Sequence, residues 1–372
     1  MNALEQQICE RIKLEGPITF ETFMEMALYE PRLGYYASAN TDIGKAGDFF
    51  TSQHLHPVFG AMIGRQLEEM WELLGKPSVF HAVEFGAGTG LLCLDIMNYL
   101  RDKALFGALA YVIVEINPFL RDKQNKLLHT HFGKVNWISS LQELGAIHGC
   151  VLSNELLDAF PVHLVEMDEE LKEIYVAVAD GHFTEIKGTL STDSLASYLK
   201  EFAVELPAGY RTEINLRIRD WLASSSEILS KGFILTIDYG YSAQEYYSEE
   251  RNRGTLLCYY RHQVNENPYQ SIGAQDITAH VNFSSVKKWG EEFGLKTLGF
   301  CNQGTFFVSL GIDEVMSELY TNSSDYLFEI AKIKRLILPG TIGETHKVMV
   351  QYKGTDNPIL RGFAIKNQKD KL

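Results

Sequence analysis

The spacing of apolar side chains changes near residue 79. Over residues 1–78 they recur every three or four positions, in ITFETFMEMALYEP and HPVFGAMIGRQLEEMWELLG, and this spacing predicts helices. From residue 79 short apolar runs alternate with helical patterns: VFHAVEF before GLLCLDIMNYL, AYVIVE before NPFLRDKQNKLLHTHF, VNWISS before LQELG, and then CVLSNELLD. Strands that alternate with helices predict right-handed crossovers and an α/β fold with a mostly parallel, doubly covered sheet.

After residue 160 this rhythm breaks. HLVEMDEELKEIYVAVADGHFTEIKG alternates in strand fashion around turn residues and predicts a small antiparallel insertion. A polar helix from about Glu213 to Ser230 precedes GFILTIDYG, which resumes the sheet; the chain closes with a helix near SSVKKWGEEFG, a strand-like KTLGFCNQGTFFVSLG, another helical stretch and a strand in HKVMVQYKG. We therefore expect an N-terminal helical region (1–78) with a lid loop, and a domain (79–372) with insertions at about 161–212 and 241–283.

Composition and net charge limit the classes of partner that the chain can bind. The chain has 372 residues, 45% of them hydrophobic, and its 34 basic and 48 acidic side chains give a formal net charge of −14. This charge argues against nucleic acid and is compatible with a basic protein partner, although a solvated acidic surface needs no partner. The five cysteines are widely spaced and predict buried thiols, and no metal constellation is present: Cys9, Cys93, Cys150, Cys258 and Cys301.

The chain also lacks targeting features. Its first residues, MNALEQQICERIKLEG, have no long apolar core and carry several acids, and no run approaches membrane-spanning length. These patterns predict a cytoplasmic protein with no membrane insertion.

A glycine-rich turn carries the first chemical signal. Gly86, Gly88 and Gly90 follow an apolar strand and precede a helix, where glycines let a backbone approach a ligand closely. Glu115 ends the next strand and can accept the two hydroxyls of a ribose. The spacing G-x-G-x-G differs from the dinucleotide G-x-G-x-x-G, and Glu84 would repel a diphosphate but suit a cationic sulfonium. The turn therefore favours S-adenosyl-L-methionine over a nicotinamide dinucleotide, with a turn that binds no ligand as the remaining alternative.

Acidic residues after CVLSN carry the second signal. Glu155 and Asp158 lie three residues apart after the fourth strand, where a turn can bring both to one face, and Asn154 adds a side-chain carbonyl. Such a group could hold the edge of an arginine guanidinium. For Asp158 a capping role is an equal alternative.

Two further groups are candidates. In the loop 44–52, Asp48 and Thr51 are predicted to contact the cofactor under a lid, or else the loop packs on its own aromatics. His262 and His280 could contact substrate, but lone histidines are more often structural.

The sequence as a whole resembles the MidA family of class I methyltransferases, to which the mitochondrial complex I assembly arginine methyltransferase belongs. The motifs that carry the resemblance run along nearly the whole chain: GYY at 34–36, GKAGDFFTSQ at 44–53, FG at 59–60, EFGAGTG at 84–90, SNELLDAFPV at 153–162, IDYG at 237–240, GTLLCYYRH at 254–262, GAQDITAHVNF at 273–283, QGTFF at 303–307 and GETHKVMV at 343–350. The chain departs from the family pattern at Ala87 and Thr89, where Pro and Arg are frequent, and at Gln53 and His54, where Pro-Glu is frequent.

The resemblance implies a Rossmann-like, seven-stranded, mostly parallel sheet with an N-terminal helical cover and inserted segments. It also implies S-adenosyl-L-methionine as cofactor and, from the mitochondrial member, methylation of arginine in a complex I subunit. We therefore predict a protein arginine methyltransferase, and a homodimer is compatible with the inserted segments. The alternatives are a cofactor-binding assembly factor with little catalysis, or a methyltransferase with another acceptor.

Overall fold

The computed structural model describes residues 1–38, 52–320 and 326–372. The described residues form two compact units, each assembled from three stretches of chain. The insertion unit takes its residues from Met1–Phe49, Leu157–Asp220 and Tyr241–Ser284; the sheet unit takes its residues from Phe50–Leu156, Trp221–Gly240 and Ser285–Leu372. The two segments predicted as insertions fall within the ranges of the insertion unit. The predicted boundary between residues 78 and 79 divides the chain by position along the sequence, whereas the two units are groups of residues that are compact in space. The boundary therefore stays a prediction.

The strands, in chain order, are β1 Ile18–Thr19, β2 Phe80–Phe85, β3 Leu109–Val114, β4 Val135–Ile138, β5 Ile147–Asn154, β6 His163–Met167, β7 Leu171–Ala179, β8 His182–Gly188, β9 Arg211–Ile214, β10 Leu229–Tyr241, β11 Leu257–Tyr260, β12 Gln263–Asn265, β13 Asp276–Thr278, β14 Val281–Asn282, β15 Lys296–Asn302 and β16 His346–Lys353.

The α-helices are α1 Ala3–Glu15, α2 Phe20–Tyr29, α3 Ser52–Leu55, α4 Val58–Leu73, α5 Leu91–Leu100, α6 Leu105–Ala108, α7 Pro118–Leu127, α8 Asp193–Glu201, α9 Arg217–Ile228, α10 Ala243–Tyr246, α11 Phe283–Glu292, α12 Gln303–Leu310, α13 Ile312–Tyr320, α14 Tyr326–Ile337 and α15 Ile342–Thr345. Single 3₁₀ turns lie at Tyr35–Ala37, His129–His131, Leu141–Glu143, Leu157–Ala159, Glu249–Arg251, Arg361–Phe363 and Lys369–Lys371.

The sheet unit is built on a central sheet whose main path has the strand order β15-β16-β10-β5-β2-β3-β4, with β14 off this path. The five strands from β10 to β4 run parallel, and β16 pairs antiparallel with both β10 and β15. Seven of the eight residues of β5 are buried, as expected for a strand covered on both faces. The predicted seven-stranded, mostly parallel sheet is confirmed.

Helices α5 and α7 show why the amphipathic segments fold where they do. Four apolar residues of α5 are buried in the core of the sheet unit: Leu92, Ile96, Tyr99 and Leu100. Helix α7 begins with Pro118 after Asn117, whose side chain accepts a hydrogen bond from the Phe119 N–H at 2.9 Å. This N-cap fixes the start of the helix shortly after the end of β3.

The insertion unit contains two smaller sheets. The first has the order β1-β7-β6-β9, with β8 paired to β7, and all of its pairings are antiparallel. The second is β12-β11-β13. The predicted antiparallel insertion is confirmed, and its core includes Phe20 and Phe23 from α2.

Two predicted elements are wrong in part. The segment QGTFFVSL is the helix α12 and not a strand, because a short apolar run with Phe306, Phe307 and Leu310 suits a buried helix as well as a buried strand. The polar helix predicted from about Glu213 begins at Arg217, since Glu213 belongs to β9 and pairs with Leu164 of β6. Tertiary pairing overrides local preference there.

The predicted buried thiols are confirmed, since all five cysteines are buried and reduced. In the described part of the chain, helices fall short of the length and apolar character that crossing a bilayer requires.

Asp95 is an unfavourable charge in this core. It is 9% exposed on α5, and its Oδ2 has no hydrogen-bond partner among the described residues. Burial raises its pKa to about 7. The folded state therefore binds more protons than the unfolded state between about pH 4 and pH 7, so the stability of the protein falls as pH rises through this window.

We predict that Asp95→Asn raises the free energy of unfolding at pH 8 by roughly 1–3 kcal/mol, because it removes a buried charge that lacks a compensating partner. The gain should shrink as pH falls toward 4, where the carboxyl is protonated in the folded state. Urea unfolding at pH 4.5 and 8 measures both values, with the exposed Asp102→Asn as matched control. A gain that is equal at both pH values would contradict the burial argument.

Candidate functional site

Three glycines shape the turn between β2 and α5. Gly86, Gly88 and Gly90 have φ angles of 66°, 53° and 87°, the left-handed region in which a side chain is strained. A Cβ at Gly86 would also lie 3.0 Å from Cδ1 of Leu156, and Gly90 gives α5 no side-chain cap. The turn thus needs glycine for its own geometry and presents bare backbone at the carboxyl end of β2.

Glu84 lies just before this turn and is 2% exposed. The hydroxyl of Tyr111 donates a hydrogen bond to its Oε2 at 2.8 Å. Burial raises the pKa of Glu84 to about 7; the Tyr111 hydrogen bond opposes this rise and the charge of Glu115 adds to it. A cation placed nearby would stabilise the ionised form, so the residue is suited to bind positive charge.

Glu115 directly follows β3, the neighbour of β2. Its Oε1 accepts a hydrogen bond from the Asn117 N–H at 2.8 Å, and its Oε2 accepts one from Nε2 of Gln124 at 3.0 Å. Burial raises its pKa, and these hydrogen bonds oppose that rise. Each carboxylate oxygen can accept a further hydrogen bond, as a ribose diol requires.

Gln124 is a candidate site residue that sequence reasoning missed. Its Nε2 donates to the carbonyl oxygen of Gly88 at 2.8 Å as well as to Glu115, and its Oε1 accepts from Nε1 of Trp137 at 2.9 Å. The amide therefore joins the glycine turn to the acidic strand end. A signal was present: Gln124 lies midway between Leu120 and Leu128 at helical spacing, so a polar side chain occupies the apolar face of α7.

Asn154 ends β5, on the other side of β2, and Glu155 directly follows it. Ser153 is opposite Phe85 in the parallel register, which brings these residues to the same sheet edge as the glycine turn. Oδ1 of Asn154 is buried and has no hydrogen-bond partner among the described residues. Glu155 has φ 49°, and its Oε1 lies 3.1 Å from Nε2 of His346. A non-glycine residue in this region costs about 1–3 kcal/mol, a strain that concentrates at functional sites.

Asp238 supports this strained backbone. Its Oδ2 accepts a hydrogen bond from the N–H of Leu156 at 3.2 Å, and its Oδ1 accepts one from the N–H of Tyr239 at 2.9 Å. The N–H of Glu155 also donates to the carbonyl of Ile237 at 2.9 Å. The end of β10 therefore holds the chain directly after β5 in one conformation.

Asp158 belongs to the insertion unit, whereas the residues described above belong to the sheet unit. It is 3% exposed in the 3₁₀ turn Leu157–Ala159, and its carbonyl accepts a hydrogen bond from the Ala279 N–H at 2.9 Å. The Tyr29 hydroxyl donates to the carbonyl of Ala159 at 2.9 Å. Burial raises the pKa of Tyr29 strongly, and the charge of Asp158 raises it further. The structure places Asp158 in a buried acidic and aromatic cluster of its own unit.

The remaining candidates are placed as follows. Asp48 and Thr51 lie outside the described residues, so their predicted contacts stay predictions. His280 is partly buried, with its ring 5.3 Å from that of Tyr241, and His262 is exposed at φ 62°. Across the described ranges, no group of three or more His, Cys, Asp or Glu residues could hold a metal ion.

A family described as S-adenosyl-L-methionine-dependent methyltransferases matches residues 62–301, well over half of the chain. The chain belongs to this family. The resemblance to MidA proteins is confirmed, and S-adenosyl-L-methionine is the cofactor of this methyltransferase. Its requirements agree with the side chains at the sheet edge: two buried carboxylates, one suited to a diol and one to a cation, beside a bare glycine backbone.

Solved and curated relatives extend the match over the whole chain. A crystal structure from Burkholderia thailandensis, bound to S-adenosyl-homocysteine, is 30% identical with a TM-score of 0.89 and covers 100% of this chain and 96% of its own. The mitochondrial protein arginine methyltransferase NDUFAF7 homolog of Drosophila melanogaster is 26% identical over 95% of this chain and 85% of its own length. The mitochondrial protein arginine methyltransferase NDUFAF7 of Danio rerio is 25% identical over 91% and 84%.

These relatives correct one prediction. The cytoplasmic location expected from the sequence is wrong by this comparison, because the curated relatives are named mitochondrial proteins. The reason is that the composition of the first residues of the given sequence does not determine the compartment in which the fold works.

We predict that Gln124→Met weakens the binding of S-adenosyl-homocysteine about tenfold. The variant keeps the length of the side chain but removes the donor to Gly88 and Glu115, and each hydrogen bond is worth about 1 kcal/mol. Calorimetric titration measures the dissociation constant, with the exposed Gln142→Met as control. Unchanged affinity in a folded Gln124→Met protein would remove this residue from the site.

The raised pKa of Glu84 predicts how cofactor binding depends on pH. A cationic ligand favours the ionised carboxylate, so its affinity should be full above about pH 7 and fall by up to about tenfold for each pH unit below it. Glu84→Gln should flatten this dependence. Titrations of S-adenosyl-L-methionine between pH 5.5 and 8 test the prediction, and identical pH profiles for the two proteins would contradict it.

Proposed function

We propose that this methyltransferase transfers methyl groups to arginine side chains of a protein. The observation that carries the proposal is Glu155, a buried carboxylate held in a strained backbone conformation at the edge where the cofactor residues end. Curated relatives over 80% or more of the chain are named protein arginine methyltransferases, which supports the same acceptor.

The chemistry of arginine explains why a fixed carboxylate is needed. The bound cofactor supplies a methyl group carried on a cationic sulfur. A guanidinium is planar and protonated, with its charge spread over three nitrogens, and has no free lone pair to attack a methyl carbon. A carboxylate that accepts two of its N–H groups draws the charge to one edge and concentrates electron density on the remaining nitrogen.

Asn154 and Glu155 offer acceptors of this kind. The Glu155 carboxylate would accept from the guanidinium N–H groups, and the buried carbonyl oxygen of Asn154 would accept another. The methylated product keeps its positive charge, so the attacked nitrogen loses one proton, and an ionised carboxylate in contact with it can accept that proton. Asp158 remains a predicted contributor from the insertion unit and is tested by its own Asp158→Asn variant.

The partner follows from the same proposal. The substrate would be a protein segment with an exposed arginine, and the formal charge of −14 would attract a basic segment. A complex I subunit as that partner, and a homodimer as the working form, stay predictions within this proposal.

The first test removes the charge of Glu155. Glu155→Gln should lower kcat/KM for an arginine-containing protein substrate by roughly 10²-fold, because a buried cation then lacks its partner, while the affinity for S-adenosyl-homocysteine stays unchanged. Label transfer from methyl-labelled cofactor into cell-extract proteins, followed by mass spectrometry of modified arginines, measures the activity. Glu169→Gln, at an exposed position, is the matched control.

The second variant, Gly88→Val, tests cofactor binding separately. A β-branched residue at φ 53° should abolish that binding. Label confined to small molecules or nucleic acid would overturn the arginine proposal. A protein that needs Gly88 in cells but tolerates Glu155→Gln would instead be an assembly factor that uses the cofactor without catalysis.

A further inference from the structure

His346 is a buried histidine to which neither cofactor binding nor the proposed acceptor chemistry assigns a role. It is the first residue of β16, fully buried, and lies opposite Tyr239 in the antiparallel register with β10. The two rings pack with centroids 4.0 Å apart. This close packing restricts the rotation of the imidazole.

Both ring nitrogens have partners. Nε2 lies 3.1 Å from Oε1 of Glu155, and Nδ1 lies 3.3 Å from the hydroxyl oxygen of Thr345. An ionised carboxylate only accepts hydrogen bonds, so Nε2 must carry the proton that joins them. The Thr345 hydroxyl, which also lies 3.5 Å from the carbonyl oxygen of Thr341, can then donate to Nδ1, and that bond favours this tautomer.

Glu155 is therefore held by contacts to its carboxylate and also by contacts to its backbone. The main chain is held by hydrogen bonds to Ile237 and Asp238, and the carboxylate is held by His346; the two side chains are 4% and 0% exposed. These contacts come from β10 and β16, which pair with each other in the central sheet. Rigid strands therefore determine where this one carboxylate lies.

We infer that His346 is a positioning residue for methyl transfer. Its Nε2–H holds the Glu155 carboxylate in the orientation that receives the acceptor nitrogen, and it does not itself touch substrate. The inference rests on the proposed role of Glu155. A misplacement of about 1 Å in such a group can lower a rate about 10²-fold, which makes the effect measurable.

A structural ion pair is the competing explanation. Buried pairs of this type can often be replaced by packed apolar residues with little loss of stability, so a change in stability would not separate the explanations. The position of a single donor does separate them. In Gln the amide nitrogen can take the place of Nε2, whereas in Asn it is one bond shorter and can only take the place of Nδ1.

The experiment compares H346Q, H346N and H346F, with the exposed His129→Phe as control. H346Q should lose less than about threefold in kcat, because it restores the donor to Glu155, while H346N and H346F should lose about 10²-fold. The KM for cofactor and the affinity for S-adenosyl-homocysteine should stay unchanged in all three. Equal kcat values for H346Q and H346F would overturn the inference.

A second readout needs neither cofactor nor substrate. Nitrogen-15 NMR of histidine-labelled protein, with the signals of His346 assigned by their loss in H346F, should show a proton on Nε2; a ring protonated on Nδ1 alone would overturn the inference. If wild type labels an acceptor other than arginine, the proposed function fails, and the same variants ranked on that acceptor still test His346. If arginine is labelled but H346Q is no more active than H346N and H346F, only the inference about His346 fails.

Discussion

The hydrogen bonds of Gln124 are the constraint that joins the two parts of the proposed cofactor site, the glycine turn and the acidic end of β3. One amide binds the carbonyl of Gly88 and the carboxylate of Glu115, which lie after two different strands. Without that bridge, a glycine turn with three left-handed residues would be free to sample other conformations, because glycine restricts the backbone least. The bridge fixes the distance between the bare backbone and the carboxylate that a nucleoside must span, and Trp137 fixes the bridge in turn.

The residue proposed to bind the methyl acceptor lies at the same edge of the sheet and is held by a different set of hydrogen bonds. Glu155 is held by hydrogen bonds from β10 and β16, and none of these bonds involves the glycine turn or Gln124. In the proposed function, cofactor binding and acceptor chemistry therefore use neighbouring strand ends with separate supports. Because the supports are separate, we expect one substitution to remove methyl transfer and a different one to remove cofactor binding.

The sequence predicted much of this arrangement because periodicity and glycine spacing are local properties. The parallel sheet, the turn at Gly86 and the carboxylate at Glu115 all follow from runs of fewer than about ten residues. What it could not predict depends on tertiary pairing. The strand that contains Glu213 pairs with β6, which is distant in sequence. The apolar run that begins at Gln303 has a spacing that suits a helix and a strand equally, and it forms a helix. The contact between Glu155 and His346 joins residues 191 positions apart.

Our central claim is that Glu115 and the glycine turn, joined by Gln124, form the nucleoside end of the cofactor site. A crystal structure of the protein with S-adenosyl-homocysteine tests it most directly. We expect both ribose hydroxyls within hydrogen-bond distance of the Glu115 carboxylate, with Gln124 still bound to Gly88. A nucleoside bound away from Glu115, or a Gln124 side chain released from the turn on binding, would contradict the claim.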